Sequence, residues 1–100
     1  MTKSTDILHL RLYIAGNAPN STRAQANLAA ICRDIPAEQI ELEVIDVLKE
    51  PLRALRDKVF VTPVLHKYLP QPERYIVGDL HDTQQVFDAL GLDSQVGEKR

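Results

Sequence analysis

The sequence predicts a single-domain α/β fold, and three observations lead to it. A strand, a helix and a second strand follow one another within about 40 residues, the pattern of a right-handed βαβ unit with a parallel strand pair. Gly, Pro and Asn cluster at 16–20, 36, 51, 63, 70–72, 78 and 91, which cuts the chain into short elements and leaves no linker between domains. The length of 100 residues, with 44% hydrophobic content, supports one modest core, so residues 1–100 are read as one domain.

The first half, residues 7–47, carries the clearest signals. Ile7–Ile14 alternates, with Leu8, Leu10, Leu12 and Ile14 on one face and Ile7, His9, Arg11 and Tyr13 on the other. Ala15–Asn20 is a turn. Asn20 or Ser21 is placed to cap a helix with Ala24, Leu28, Ile31 and Ile35 at helical spacing, stopped before Pro36. Ile40, Leu42 and Val44 then alternate with Glu41, Glu43 and Ile45 as a second strand. From 51 to 93 the elements are shorter. Pro51 suits the first position of a short helix with Leu52, Leu55 and Val59 on one side. Phe60–Leu65 has strand propensity interrupted by Pro63, and Leu69-Pro70-Gln71-Pro72 is a stiff turn before a strand at Arg74–Val77. Asp82, with Gln85 three residues on, reads as a capping box for a helix bearing Val86, Phe87 and Leu90, with Gly91 as its C-terminal cap. The resulting order, βαβαββα, is that of thioredoxin-like proteins.

Composition and motifs argue against catalysis. A net charge of -2 gives no electrostatic case for nucleic acid. Thiol–disulfide exchange needs a thiolate at the helix start after the first strand, and Ala15–Ser21 contains no cysteine. The single cysteine, Cys32, lies more than two turns down that helix beside its apolar stripe and reads as structural. His9, His66 and His81 show no ligand spacing and read as surface histidines, so neither metal nor cofactor is expected. Glu41 and Glu43 read as a solvated strand face, Asp79 and Asp82 as a helix start, and Gly16 stands outside any phosphate-binding motif. No apolar run reaches the roughly 20 residues of a membrane helix, and no apolar signal segment follows Met1–Asp6; a lone cysteine also suits a reducing compartment, so the expected location is the cytoplasm.

Five blocks then carry a family resemblance. Leu12-Tyr13-Ile14-Ala15-Gly16-Asn17-Ala18-Pro19-Asn20-Ser21-Thr22-Arg23-Ala24 resembles the KaiB signature L-Y-V-A-G-N-T-P-N-S-x-R-A. It is followed in register by Val44–Pro51, by Asp57-Lys58-Val59-Phe60-Val61-Thr62-Pro63, by Lys67–Arg74 and by Ile76-Val77-Gly78-Asp79-Leu80. The chain is therefore identified as a member of the KaiB family, from about Leu10 to Asp93. That resemblance implies a non-enzymatic protein that binds a KaiC-type ATPase and alters its phosphorylation cycle. It further implies two folds, a homo-oligomeric ground state (tetramer or dimer) and a thioredoxin-like monomer that binds KaiC, with the second half refolding between them. Pro63 is implied to be cis, and Pro63, Pro70, Pro72, Gly91 and Asp93 are the expected fold-switch residues. If proline isomers exchange during the switch, it takes tens to hundreds of seconds. Arg23, Lys58, Lys67 and Arg74 sit in the matching blocks and suit an acidic partner surface.

Two departures qualify the expectation. Glu43 replaces the lysine of the family's L-K-V-I-D block, reversing a charge on the strand edge implied to receive KaiA, and the tail Ser94–Arg100 lacks the usual apolar and acidic character. Both point to a divergent, non-cyanobacterial member, working in a simpler timer or in stress adaptation. Two rivals stand beside this reading. One is a sensor or adaptor module like the thioredoxin-like input domain of the clock histidine kinase, against which the chain carries no kinase; the other is a degenerate redox enzyme, against which it carries no thiol pair.

Overall fold

The computed structural model describes residues 7–92. Its elements are β1 (Leu8–Ile14), α1 (Pro19–Cys32), a 3-10 turn at Ala37–Gln39, β2 (Ile40–Asp46), α2 (Pro51–Arg56), β3 (Val64–Leu69), β4 (Arg74–Val77) and α3 (Thr83–Leu90). The strands form one sheet in the order β2-β1-β3-β4. β1 and β2 are parallel, with Leu8 opposite Ile40 and Ile14 opposite Asp46, while β1–β3 and β3–β4 are antiparallel. The expected order and the parallel pair are both present.

The period-2 pattern of β1 is the organiser of the core. Leu8, Leu10, Leu12 and Ile14 all enter one buried cluster with Ala24, Leu28 and Ile31 of α1, Leu65 and Ile76 of the sheet, and Val86 and Leu90 of α3. Each fully buried leucine contributes about 1.5–3 kcal/mol by leaving water. The opposite face holds a smaller cluster, Tyr13, Ile45 and Val64, with Val47 and Val59 against it. The cap of α3 is as the sequence predicts. Asp82 accepts from the Gln85 N–H, and Gly91 ends the helix at φ 78, a left-handed conformation that favours glycine.

Several local expectations differ. α1 starts at Pro19 with Ala18 in the cap position and no side-chain cap; proline at the first helical position has no N–H to satisfy. Ser21, expected as a cap, is buried and accepts instead from the Ala15 N–H at 3.0 Å, bracing the preceding turn. β2 is an edge strand, so Leu42 and Val44 are exposed despite their alternation, and Ile45 is the residue it buries completely. α2 buries Ala54 and leaves Leu52 79% and Leu55 66% exposed, the reverse of the expected apolar side. β3 begins only after Pro63, and the peptide bonds preceding Pro63, Pro70 and Pro72 are cis. Asp93 lies outside the described residues. Among the described residues no helix is long and apolar enough to cross a membrane.

Candidate functional site

The two turns at the C-terminal ends of β1 and β2 are stitched into one surface. Asp46 Oδ1 accepts from both the Gly16 N–H and the Leu48 N–H at 3.0 Å, and the Val47 N–H donates to the Ile14 carbonyl at 2.8 Å. Gly16 has φ +55, a left-handed conformation that favours glycine, and a Cβ there would stand 3.1 Å from Leu48 Cδ1. This is the end of the fold where a thioredoxin-like redox protein carries its thiols; here the turn has none, and Cys32 lies at the far end of α1, where burial pushes its thiol pKa up.

Beyond that turn, exposed apolar side chains stand among exposed charges at Lys49, Glu50, Arg56 and Lys58. Leu48 precedes α2, Leu52 and Leu55 stand on its outer side, and Phe60, 81% exposed, and Val61 follow it; all are exposed. Phe60 and Val61 line a cleft of about 320 Å³ together with Tyr75 and Val77 of β4 and with Lys58, His66 and Tyr13. The sequence shows these residues but not their exposure. Leucines at 48, 52 and 55 have helical spacing, which reads equally as a packed face or a presented one.

Of the four cations of the matching blocks, Lys67 and Arg74 are brought together as register partners on β3 and β4. Lys58, at φ 60, stands on the rim of the cleft. Arg23 pairs with Asp79 at 3.3 Å and contacts Asn20, while Asn27 donates to the Asp79 carbonyl at 2.8 Å; these bonds tie α1 to the loop before α3. Arg74 is exposed on β4. Lys67 is not a surface charge: its side chain is on the helix-covered face, opposite Leu10, and is 4% exposed. Burial, and then the neighbouring Arg74, hold its ammonium below the usual lysine range.

The histidines likewise depart from a uniform surface role. His81 is exposed beside Asp79, whereas His66 is buried, stacked on Tyr75 with ring centroids 4.2 Å apart and bonded to Glu73. His9 pairs with Glu41 at 3.0 Å, and the Arg11 guanidinium lies 4.2 Å above the Tyr68 ring. Among the described residues no three His, Cys, Asp or Glu side chains converge in a metal-binding group.

A four-stranded sheet in the order β2-β1-β3-β4 with helices packed on it, and no thiol at its first turn, defines a protein of the thioredoxin-like fold. Comparison with known proteins agrees. The yeast mitochondrial thioredoxin 3 superposes with a TM-score of 0.70 at 14% identity, covering 86% of this chain and 78% of its own, a likeness of fold alone. The N-terminal domain of Synechococcus elongatus SasA superposes with a TM-score of 0.68 at 25% identity, covering 95% of this chain and 87% of that one. Residues 11–92 match the KaiB domain family. The circadian clock protein KaiB3 of a Synechocystis species is 48% identical over 84 residues, covering 84% of this chain and 80% of the relative. The circadian clock oscillator protein KaiB of Rippkaea orientalis is 50% identical over 84 residues, covering 84% and 79%. The chain belongs to the KaiB family of circadian clock proteins.

Proposed function

We propose that this chain is a non-enzymatic regulator that docks on a KaiC-type ATPase in the cytoplasm and alters its phosphorylation and ATPase cycle. The observation that carries the proposal is the set of exposed apolar side chains in and after α2, Leu48, Leu52, Leu55, Phe60 and Val61, the last two lining a cleft with Lys58, at the end of the fold where redox relatives hold their thiols. Exposed apolar side chains grouped this way mark an interaction surface, and Lys58 supplies charge complementarity to an acidic rim. Arg74, exposed on β4, is the second candidate contact; Arg23 and Lys67 are engaged within the fold and serve it structurally.

The thioredoxin-like arrangement described here is the docking form, in exchange with a homo-oligomeric ground state through refolding of residues 51–93. The thin packing of α2 supports this, because two arrangements of one chain coexist only when they differ by a few kcal/mol. The test is co-elution of the purified chain with a KaiC-type ATPase and ATP. Wild type is expected to bind, and Phe60→Ser or Leu52→Ser to weaken binding at least about tenfold, the scale of one interface anchor. Wild type eluting alone, or both variants binding as wild type does, rejects the proposal. A second reading, a sensor or adaptor module in signalling, is favoured by the likeness to the SasA N-terminal domain; it predicts binding to another signalling protein with the ATPase ignored.

A further inference from the structure

Helix α2 is six residues long, and its burial is confined to Ala54. One buried methyl contributes about 0.8 kcal/mol, and isolated helices this short are unstable in water. What fastens it is charge. Arg53 of α2 makes a two-pronged contact with Glu43 of β2, at 2.6 and 2.8 Å. Glu50 and Asp57, at the two ends of the helix, stand 3.7 and 3.6 Å from the same guanidinium. On β1, the Tyr13 hydroxyl donates to Asp57 Oδ2 at 2.8 Å, and Arg11 Nε lies 3.9 Å from Glu43. Arg56 adds a contact to Asp57 at 3.3 Å. The network therefore ties one short helix to both of the parallel strands.

Its geometry also shows that it is not fully closed. The Nε atoms of Arg11 and Arg53 are buried yet have no hydrogen-bond partner among the described residues. A buried polar network with unfilled donors holds less tightly than a complete one. Glu43 is about half exposed along its side chain, so dissolved ions reach the central pair. Hydrophobic burial beneath α2 would resist salt; this network does not.

We infer that the Glu43–Arg53 fork and its neighbours form a latch that holds α2 on the open face of the sheet and sets how firmly Leu52 and Leu55 are presented. Glu43 is on an edge strand, so anything that engages its carboxylate competes with Arg53 and loosens the helix. The functional weight of the latch rests on the docking surface proposed above, while its existence is tested without any partner.

The experiment is amide hydrogen exchange on the full chain, followed at Ala54, Asp57 and Val59, whose N–H groups donate within or just beyond α2. Glu43→Gln is expected to speed exchange there about tenfold at low salt, leaving the amides of β1 unchanged, as local opening requires. In an Arg53→Gln background the Glu43→Gln change is expected to add nothing. Raising salt to about 1 M, where the Debye length falls to about 3 Å, is expected to bring wild type to the variant's rate. Unchanged exchange in Glu43→Gln, additive effects of the two substitutions, or equal acceleration across β1 each overturns the latch. ATPase binding is measured separately; its absence in wild type overturns the docking proposal and leaves the exchange result standing.

Discussion

Lys67 carries its charge into the helix-covered face of the sheet, with Arg74 opposite it on β4. Both effects depress its pKa, so between that value and the ordinary lysine value near 10.4 the unfolded chain binds more protons and stability rises with pH. Below that window the cost is present in full. Lys67→Met, which keeps the length and removes the charge, is expected to stabilise by about 1 kcal/mol, raising the melting temperature by about 4–8 °C in calorimetry. Tyr13 titrates in the opposite sense. Burial, then its bond to Asp57, push the phenol up to about 12. Its contribution is intact below the ordinary tyrosine value near 10 and is lost as pH climbs toward 12. Tyr13→Phe is expected to flatten that alkaline loss in urea titrations. On the acid side, the hydrogen bond from Arg53 holds Glu43 below the usual carboxylate range. Asp57 is also lowered: burial works to raise it, but bonds from Tyr13 and Arg56 and the nearby positive charges prevail. The stability they supply is complete above about pH 5 and falls as they protonate below about pH 4.

Among the elements, α3 is the most self-sufficient in sequence. Asp82 satisfies a free N–H at 3.1 Å, and Asp82→Ala is expected to cost about 0.5–2 kcal/mol, measured as a drop in the urea midpoint. Gly91 at the other end has φ 78, with nothing within 4 Å of an added Cβ. Alanine there meets no clash but costs about 1 kcal/mol in backbone strain. Gly91→Ala is expected to lower the melting temperature of this fold. An unchanged melting temperature rejects the strain argument.

For the whole molecule, stability is unequally divided between the two faces of the sheet. Among the described residues, the buried apolar cluster on the helix-covered face has twelve members and the one on the open face three. Leu12→Ala on the first is expected to cost about 2–5 kcal/mol. Leu55→Ser on the outer side of α2 is expected to fall within about 0.5 kcal/mol, since it removes little buried surface. Denaturant titrations of the two variants measure the contrast. The asymmetry leaves one side of the molecule to anchor the fold and the other to present Leu52, Leu55 and Phe60.

Much of this was legible in the chain itself. The alternation of β1, the stripe on α1, the bracket of Asp82 and Gly91 and the in-register motif blocks specify the βαβαββα order, the family and the absence of a thiol at the first turn. These are local properties, because backbone period, capping and turn chemistry act over a few residues. The tertiary structure alone decided that Leu42, Val44, Leu52 and Leu55 face water, that Lys67 and His66 are buried, and that Arg53 meets Glu43. Periodicity says which way a side chain points. Whether another element stands there to cover it depends on strand order and helix placement, which are set by contacts between residues far apart in sequence.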